Sequence, residues 1–195
     1  LAGRYEDAKM IVDAHALEGV VDAQFWALFA NAATRNWPEV NADFDDVALL
    51  FDGYPARLVA RARLDGVEAA REVSALDLAT ERLAEIDPTR LAFARERERL
   101  KLLQARLDEA TGQIDEALAA YDEVRASDPG PIGAQATLLG IEARILNERM
   151  SIEDGVDELE NLAVAWRGDD TEVRTRILLG DLYVERGRYA DALAA

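Results

Sequence analysis

At four places along the chain a bulky apolar residue is followed three positions later by a small one: Tyr5 and Ala8, Ile114 and Ala117, Ile152 and Gly155, Tyr189 and Ala192. A spacing of three puts both on one helical face, where the large side chain fills a pocket and the small one admits a neighbouring helix. A breaking or capping residue precedes each pair, so each reads as the start of a helix. GRYEDA at 3–8 and GRYADA at 187–192 are nearly the same hexapeptide, GQIDEALAAYDEV at 112–124 is a third copy, and SIEDGVDELENL at 151–162 is a weaker fourth. Two degraded copies read as NWPEVNADF near Trp37 and DGVEAAREV near Val67. The anchors then stand at positions 5, 38, 67, 114, 152 and 189, with intervals of 33, 29, 47, 38 and 37 residues. Each interval holds two helices, the signature of a helix–turn–helix repeat.

The turn signals agree. Asp87-Pro88, Asp128-Pro129-Gly130-Pro131 and Gly168-Asp169-Asp170 each stop one helix and start the next. Ser151 and Asp154 are spaced as a reciprocal cap. Residues 90–111 read as one long amphipathic helix with Leu91, Leu100, Leu103 and Leu107 toward the core. No linker is long enough to separate two domains, so residues 1–195 read as a single all-α repeat domain with incomplete repeats at both ends.

Composition narrows the function. Half the residues are apolar, and alanine, leucine, arginine and glutamate dominate, which favours helix over disorder or sheet. The net charge is −17, and every third of the chain is net acidic. A surface that neutralises phosphates is therefore absent, which excludes nucleic acid and an anionic membrane surface as partners. A basic or zwitterionic protein fits better. With no cysteine, disulfides, thiolate metal sites and thiol nucleophiles are excluded. No apolar run reaches the length of a membrane span. The chain begins without methionine and ends inside a repeat motif, which marks it as a section of a longer protein. Lys9 and Lys101 are the only lysines among many arginines, a composition that points to a bacterial source, with the periplasm favoured over the cytoplasm.

The repeated pattern resembles the tetratricopeptide repeat. Leu179-Gly180, Tyr183, Gly187, Tyr189 and Ala192 stand at the family's spacing, and Gly112, Ala117 and Tyr121 supply the second half of a middle copy that closes with Asp128-Pro129. The resemblance implies an α-solenoid of antiparallel helix pairs wound into a right-handed superhelix, with a concave groove lined by the first helix of each pair. In the family that groove commonly takes an extended peptide or a partner helix. Its groove positions fall on Arg99, Arg106 and Glu109 in one repeat and on Arg174, Asp181 and Glu185 in another. Arg144, Asn147 and Glu148 hold similar places between them. Arginine at such positions grips a carboxylate through two hydrogen bonds. The lysine and asparagine set of chaperone-binding members is absent, so chaperone binding is not implied. The 47-residue interval exceeds the family length and implies longer helices there.

Other chemistry is sparse. His15 is the only histidine and has no nucleophile motif beside it. Asp43, Asp45 and Asp46, and Glu153, Asp154, Asp157 and Glu158, are acidic clusters that read as solvated helix faces. Arg167-Gly168-Asp169 matches an adhesion tripeptide but lies at an expected inter-repeat turn. Phe25, Trp26, Phe29, Trp37, Phe44 and Phe51 form an aromatic group that reads as core, with an apolar docking pocket as its functional alternative. No cofactor is implied. The expected function is a non-catalytic protein-interaction scaffold. One alternative is an assembly module that forms a homo-oligomer through its repeat ends; another is an enzyme built on Asp43 and Asp46.

Overall fold

The computed structural model describes residues 4–12 and 20–194. Among the described residues it contains eleven α-helices and no strand: α1 Tyr5–Val12, α2 Val21–Ala33, α3 Trp37–Ala48, α4 Ala56–Glu72, α5 Leu76–Ala84, α6 Ala94–Ala110, α7 Ile114–Ser127, α8 Pro131–Leu146, α9 Ile152–Ala165, α10 Asp170–Glu185 and α11 Tyr189–Ala192. Short 3-10 turns at Phe51–Gly53 and Pro88–Arg90 precede α4 and α6. The fold is all-α, and helices pack on their neighbours in sequence.

One turn is used five times. Arg35, Ser74, Gly112, Glu148 and Gly187 each follow a helix end with φ of 57°, 61°, 85°, 56° and 70°. The amide of the next residue in each case, Asn36, Ala75, Gln113, Arg149 or Arg188, donates to the carbonyl five residues back at 2.7–2.8 Å. The left-handed residue itself donates three residues back, from Arg35 to Ala32, Ser74 to Arg71, Gly112 to Glu109, Glu148 to Ile145 and Gly187 to Val184. These paired bonds are the Schellman motif, which satisfies carbonyls that a helix end would leave orphaned. The chain reverses, and after four of the five turns a new helix begins two residues later. After Glu148 it runs to Ser151, whose Oγ accepts the Asp154 amide and donates to the Asp154 carboxylate.

The helices that follow these turns, together with α1, begin at Tyr5, Trp37, Leu76, Ile114, Ile152 and Tyr189, spaced 32, 39, 38, 38 and 37 residues apart. This corrects the reading of Val67 as an anchor and removes the 47-residue interval. Gly66 and Val67 lie buried in the middle of α4. A Cβ on Gly66 would stand 2.1 Å from Phe44 Cε2, so this glycine admits an aromatic ring rather than turning the chain. The true pair in this region is Leu76 with the fully buried Ala79. At the preceding turn the small position holds Val40, also fully buried.

Junctions in the other direction are extended. Pro55 and Gly130 lead into α4 and α8, and the Asp87 and Asp169 carboxylates cap the turns that follow them by accepting from Thr89 and Thr171 amides. The long helix expected over 90–111 begins at Ala94; Leu91 is buried, but in the link before it. Leu103 and Leu107 are buried in α6, and Leu100 is half-buried.

Contacts cluster into two compact units, residues 1–103 and 104–195. In the first, Phe25, Leu28 and Phe29 of α2 pack with Val40, Phe44 and Val47 of α3, with Phe51, and with Ala62 and Ala69 of α4. The expected aromatic group is therefore core, with Trp26 at its edge and 44% exposed. In the second, Leu138 and Ile141 of α8 pack with Val156, Leu159 and Leu162 of α9 and with Leu179, Leu182 and Tyr183 of α10. No described helix is long and apolar enough to cross a membrane.

The left-handed turns give a direct test. A Cβ on Gly112 meets nothing within 4 Å, so Gly112→Ala isolates the backbone cost. It is expected to destabilise by about 1 kcal/mol, and Ser74→Gly to stabilise by about 0.5 kcal/mol, both read from the urea midpoint.

Candidate functional site

The charged residues of the first helices are placed by the turn that ends each helix. The residue thirteen before a turn residue is Arg61 in α4, Arg99 in α6 and Arg174 in α10. Each reaches back to the residue six before the previous first helix's turn. Arg61 lies over the Phe29 ring at 4.9 Å, Arg99 donates to Glu68 at 2.6 Å, and Arg174 donates to Glu142 at 3.0 Å. Three pairs of helices are thus joined at the same two positions, once over a ring and twice through a carboxylate, whereas α8 carries Gln135 at the arginine position.

The Arg99 staple is the most enclosed. Its guanidinium also meets Asp65 at 2.7 Å, and Asp65 is only 4% exposed. Burial pushes the Asp65 carboxyl above its ordinary range, and the Arg99 charge pulls it back only in part. Arg82 of α5 plays a similar part deeper in the fold. It donates to Asn41 Oδ1 at 2.7 Å, to the Gly66 carbonyl at 3.1 Å and to Asp45 at 3.0 Å, and its guanidinium covers the Phe44 ring at 4.2 Å. Three helices are tied by one buried cation.

The remaining groove positions follow. Arg106 is half-buried on α6. Glu109 accepts from the Tyr121 hydroxyl at 2.6 Å. Arg144 donates to the Gly140 carbonyl at 3.2 Å and to Asp122 at 2.6 Å. Asn147 donates to the Ala143 carbonyl, and Glu148 is a turn residue. Asp181 and Glu185 are exposed on α10, and neither side chain has a partner. The arginines Arg99, Arg144 and Arg174 therefore already hold carboxylates of this chain, and the uncommitted groups are acids.

The repeat-packing residues divide by place. Ala117 and Tyr121 are buried at 0% and 1% exposure. Tyr183 is buried and donates to Glu160; burial and then this bond push its phenol up to about 12, so it stays a donor at neutral pH. Tyr5, Ala8, Ile114, Gly180 and Ala192 are half-buried, whereas Tyr189 is 66% exposed.

His15 lies outside the described residues. Asp43 and Asp46 are exposed, while Asp45 is the counter-ion of Arg82. Among the described residues no cluster of histidine and carboxylates is arranged to hold a metal ion. Asp169 of the adhesion-like tripeptide is occupied as a helix cap and accepts the Trp166 indole N–H at 2.9 Å.

A feature outside the expected set is an apolar stripe on α10. Val173, Ile177 and Val184 are 56%, 59% and 52% exposed. Their signal in the sequence is a helix apolar on two sides, visible only when positions are counted from the turn. Comparison of the chain with protein-family models, with curated proteins and with solved structures finds no match in any of the three.

The staples differ in enclosure and should differ in energy. Arg99→Ala leaves the buried Asp65 carboxylate only the longer Arg61 contact at 3.7 Å and is expected to cost about 3 kcal/mol. Arg174→Ala breaks a pair exposed on both sides and is expected to cost less than about 1 kcal/mol. Urea unfolding of the two variants reads the difference.

Proposed function

We propose that the chain is part of a tetratricopeptide-type α-solenoid that acts as a non-catalytic scaffold, binding a peptide or helix of another protein along its first helices. The observation that carries this reading is the recurrence of one unit, a helix, a left-handed turn residue and a second helix, with an arginine at one position joining α4 to α2, α6 to α4 and α10 to α8. Repeats of this kind present side chains in register over several helices, which suits recognition of an extended ligand.

The surface best fitted for this lies on α8 and α10. Arg174 and Glu142 are 42% and 44% exposed, so their pair contributes little. A partner carboxylate can take over Arg174 without stranding a buried charge, and Glu185 nearby in sequence offers an acceptor to a partner cation. Arg99 is unsuited to such an exchange because Asp65 depends on it. The ligand expected is therefore a peptide that carries both an acid and a base.

Selection from a randomised peptide library on the immobilised chain tests this. Peptides containing acidic residues should be enriched, and Arg174→Glu should weaken their binding roughly tenfold while leaving the helical circular dichroism unchanged. Failure to enrich any peptide, or equal binding by the variant, overturns the reading.

A further inference from the structure

We infer that the exposed ring of Phe93, with Arg57 stacked on it and Arg90, Arg95 and Arg97 within four residues of it, is a docking site for a short acidic segment of another protein. That segment carries an aromatic or large apolar side chain between its carboxylates. The site lies in the first unit, at the start of α4 and of α6; along α4, Arg57 stands about 25 Å from the Ser74 turn. It is independent of peptide binding along α8 and α10, which rests on Arg174 in the second unit.

The pairing of the arginines carries the argument. The chain has 39 acidic residues for 22 basic ones. Most of its arginines lie within 4 Å of a carboxylate, even at the surface, where Arg125 holds Glu158 and Arg149 holds Asp115. Among the described residues, Arg57, Arg90, Arg95 and Arg97 are exposed and have no such partner. Arg57 belongs to residues 53–64, and Arg90 and Arg95 to residues 88–95, two stretches that contain no acid. The fold joins them, because the Arg57 guanidinium lies over the Phe93 ring at 4.6 Å. Arg97 donates to the Leu91 carbonyl at 2.7 Å, a neutral acceptor that leaves its charge uncompensated. The acids that flank this segment are engaged. Asp87, beside Arg90, accepts from the Thr89 amide and hydroxyl, and Glu96 accepts from the Phe93 amide at 3.4 Å.

The ring identifies the occupant further. Of the five phenylalanines, Phe25, Phe29, Phe44 and Phe51 are at most 8% exposed, whereas Phe93 is 47% exposed. Leu91 already anchors the link before α6 at 4% exposure, so packing of the link does not account for Phe93. A ring with a guanidinium on one face offers a partner side chain a flat apolar surface. The stack also restrains the Arg57 fork, so less freedom is lost when it takes a carboxylate through two bonds. α6 begins at Ala94, and the positive end of its dipole adds to the attraction. A long polyanion would lie along a chain of net charge −17 and be repelled by it. An acidic segment of a few residues meets only the local positive charge, since more distant charges are screened.

The probe is a labelled synthetic peptide with one phenylalanine between two pairs of aspartates, titrated with the full chain at low salt and followed by fluorescence anisotropy. Saturable binding is expected, weakened roughly tenfold by Phe93→Ala, by Arg57→Glu and by Arg95→Glu. Replacing the phenylalanine of the peptide with alanine should weaken it similarly, and this tests the ring contact in case Phe93→Ala does not fold. Circular dichroism checks that each variant keeps its helices. Arg125→Glu changes the net charge equally at a pair elsewhere and should leave binding unchanged. No saturable binding overturns the inference, and so does equal weakening by Arg125→Glu, which reduces the effect to net charge. Binding lost with Arg174→Glu but kept with Arg57→Glu also overturns it, by placing the peptide on α10. A single-stranded oligonucleotide that binds more tightly than the peptide, and is released by Arg57→Glu, overturns it by giving the patch to phosphates.

Discussion

A single backbone conformation sets the phase of the whole chain. Each left-handed turn residue ends one helix and fixes the direction of the next, so residues a fixed count before it point the same way in every pair. The cost of placing Arg35, Ser74 and Glu148 in that conformation is about 1 kcal/mol each, and it is met because the two Schellman bonds satisfy buried-end carbonyls. Once the turn is set, Leu64 and Val67 in α4 and Leu138 and Ile141 in α8 fall on equivalent faces. The same count sends Arg99 and Arg174 toward Glu68 and Glu142. Packing and charge pairing are both consequences of where the turn residue lies.

The preference for arginine over lysine follows from what these cations do. Arg99 serves Asp65 and Glu68 together, and Arg82 serves Asn41, a backbone carbonyl, Asp45 and the face of Phe44. A planar fork with several donors suits such shared, partly desolvated sites, whereas an ammonium is more strongly hydrated and offers no flat face. In a chain of net charge −17, much of the positive charge is thereby spent inside or between helix pairs. Asp181 and Glu185, unpaired on α10, show the acidic surplus at the surface.

Much of the architecture was legible in the sequence. Tyr5, Ile114, Ile152 and Tyr189 mark helix starts because a large and a small residue three apart is a packing requirement written directly into the chain. The start at Leu76 was hidden because Ser74 takes the left-handed place that Gly112 and Gly187 advertise, while Gly66 looked like a turn. Glycine meets two different needs, φ above zero and close approach, and only the surroundings of Gly66, the Phe44 ring, tell them apart. That error shifted the count in one repeat, so Arg99 could not be aligned with Glu68. The residue then read as available to a ligand, when its partner lies on α4. The exposure of α10 was concealed for a related reason: the sequence shows what a helix face is made of, not whether another helix covers it.

The residues of α10 describe the surroundings for which that helix is suited. One side carries Thr171, Thr175, Leu179, Leu182 and Tyr183, all buried against this chain; the other carries Val173, Ile177 and Val184. A helix at the surface of a helical array needs one apolar stripe, and its opposite face is ordinarily polar. α8, which is covered on both sides, has the pattern of α10: Ile132, Ala136, Leu139 and Ala143 on one side, and Ala134, Leu138 and Ile141 on the other, every one of them buried. α10 therefore has the composition of an internal helix at a position where one of its two sides meets solvent.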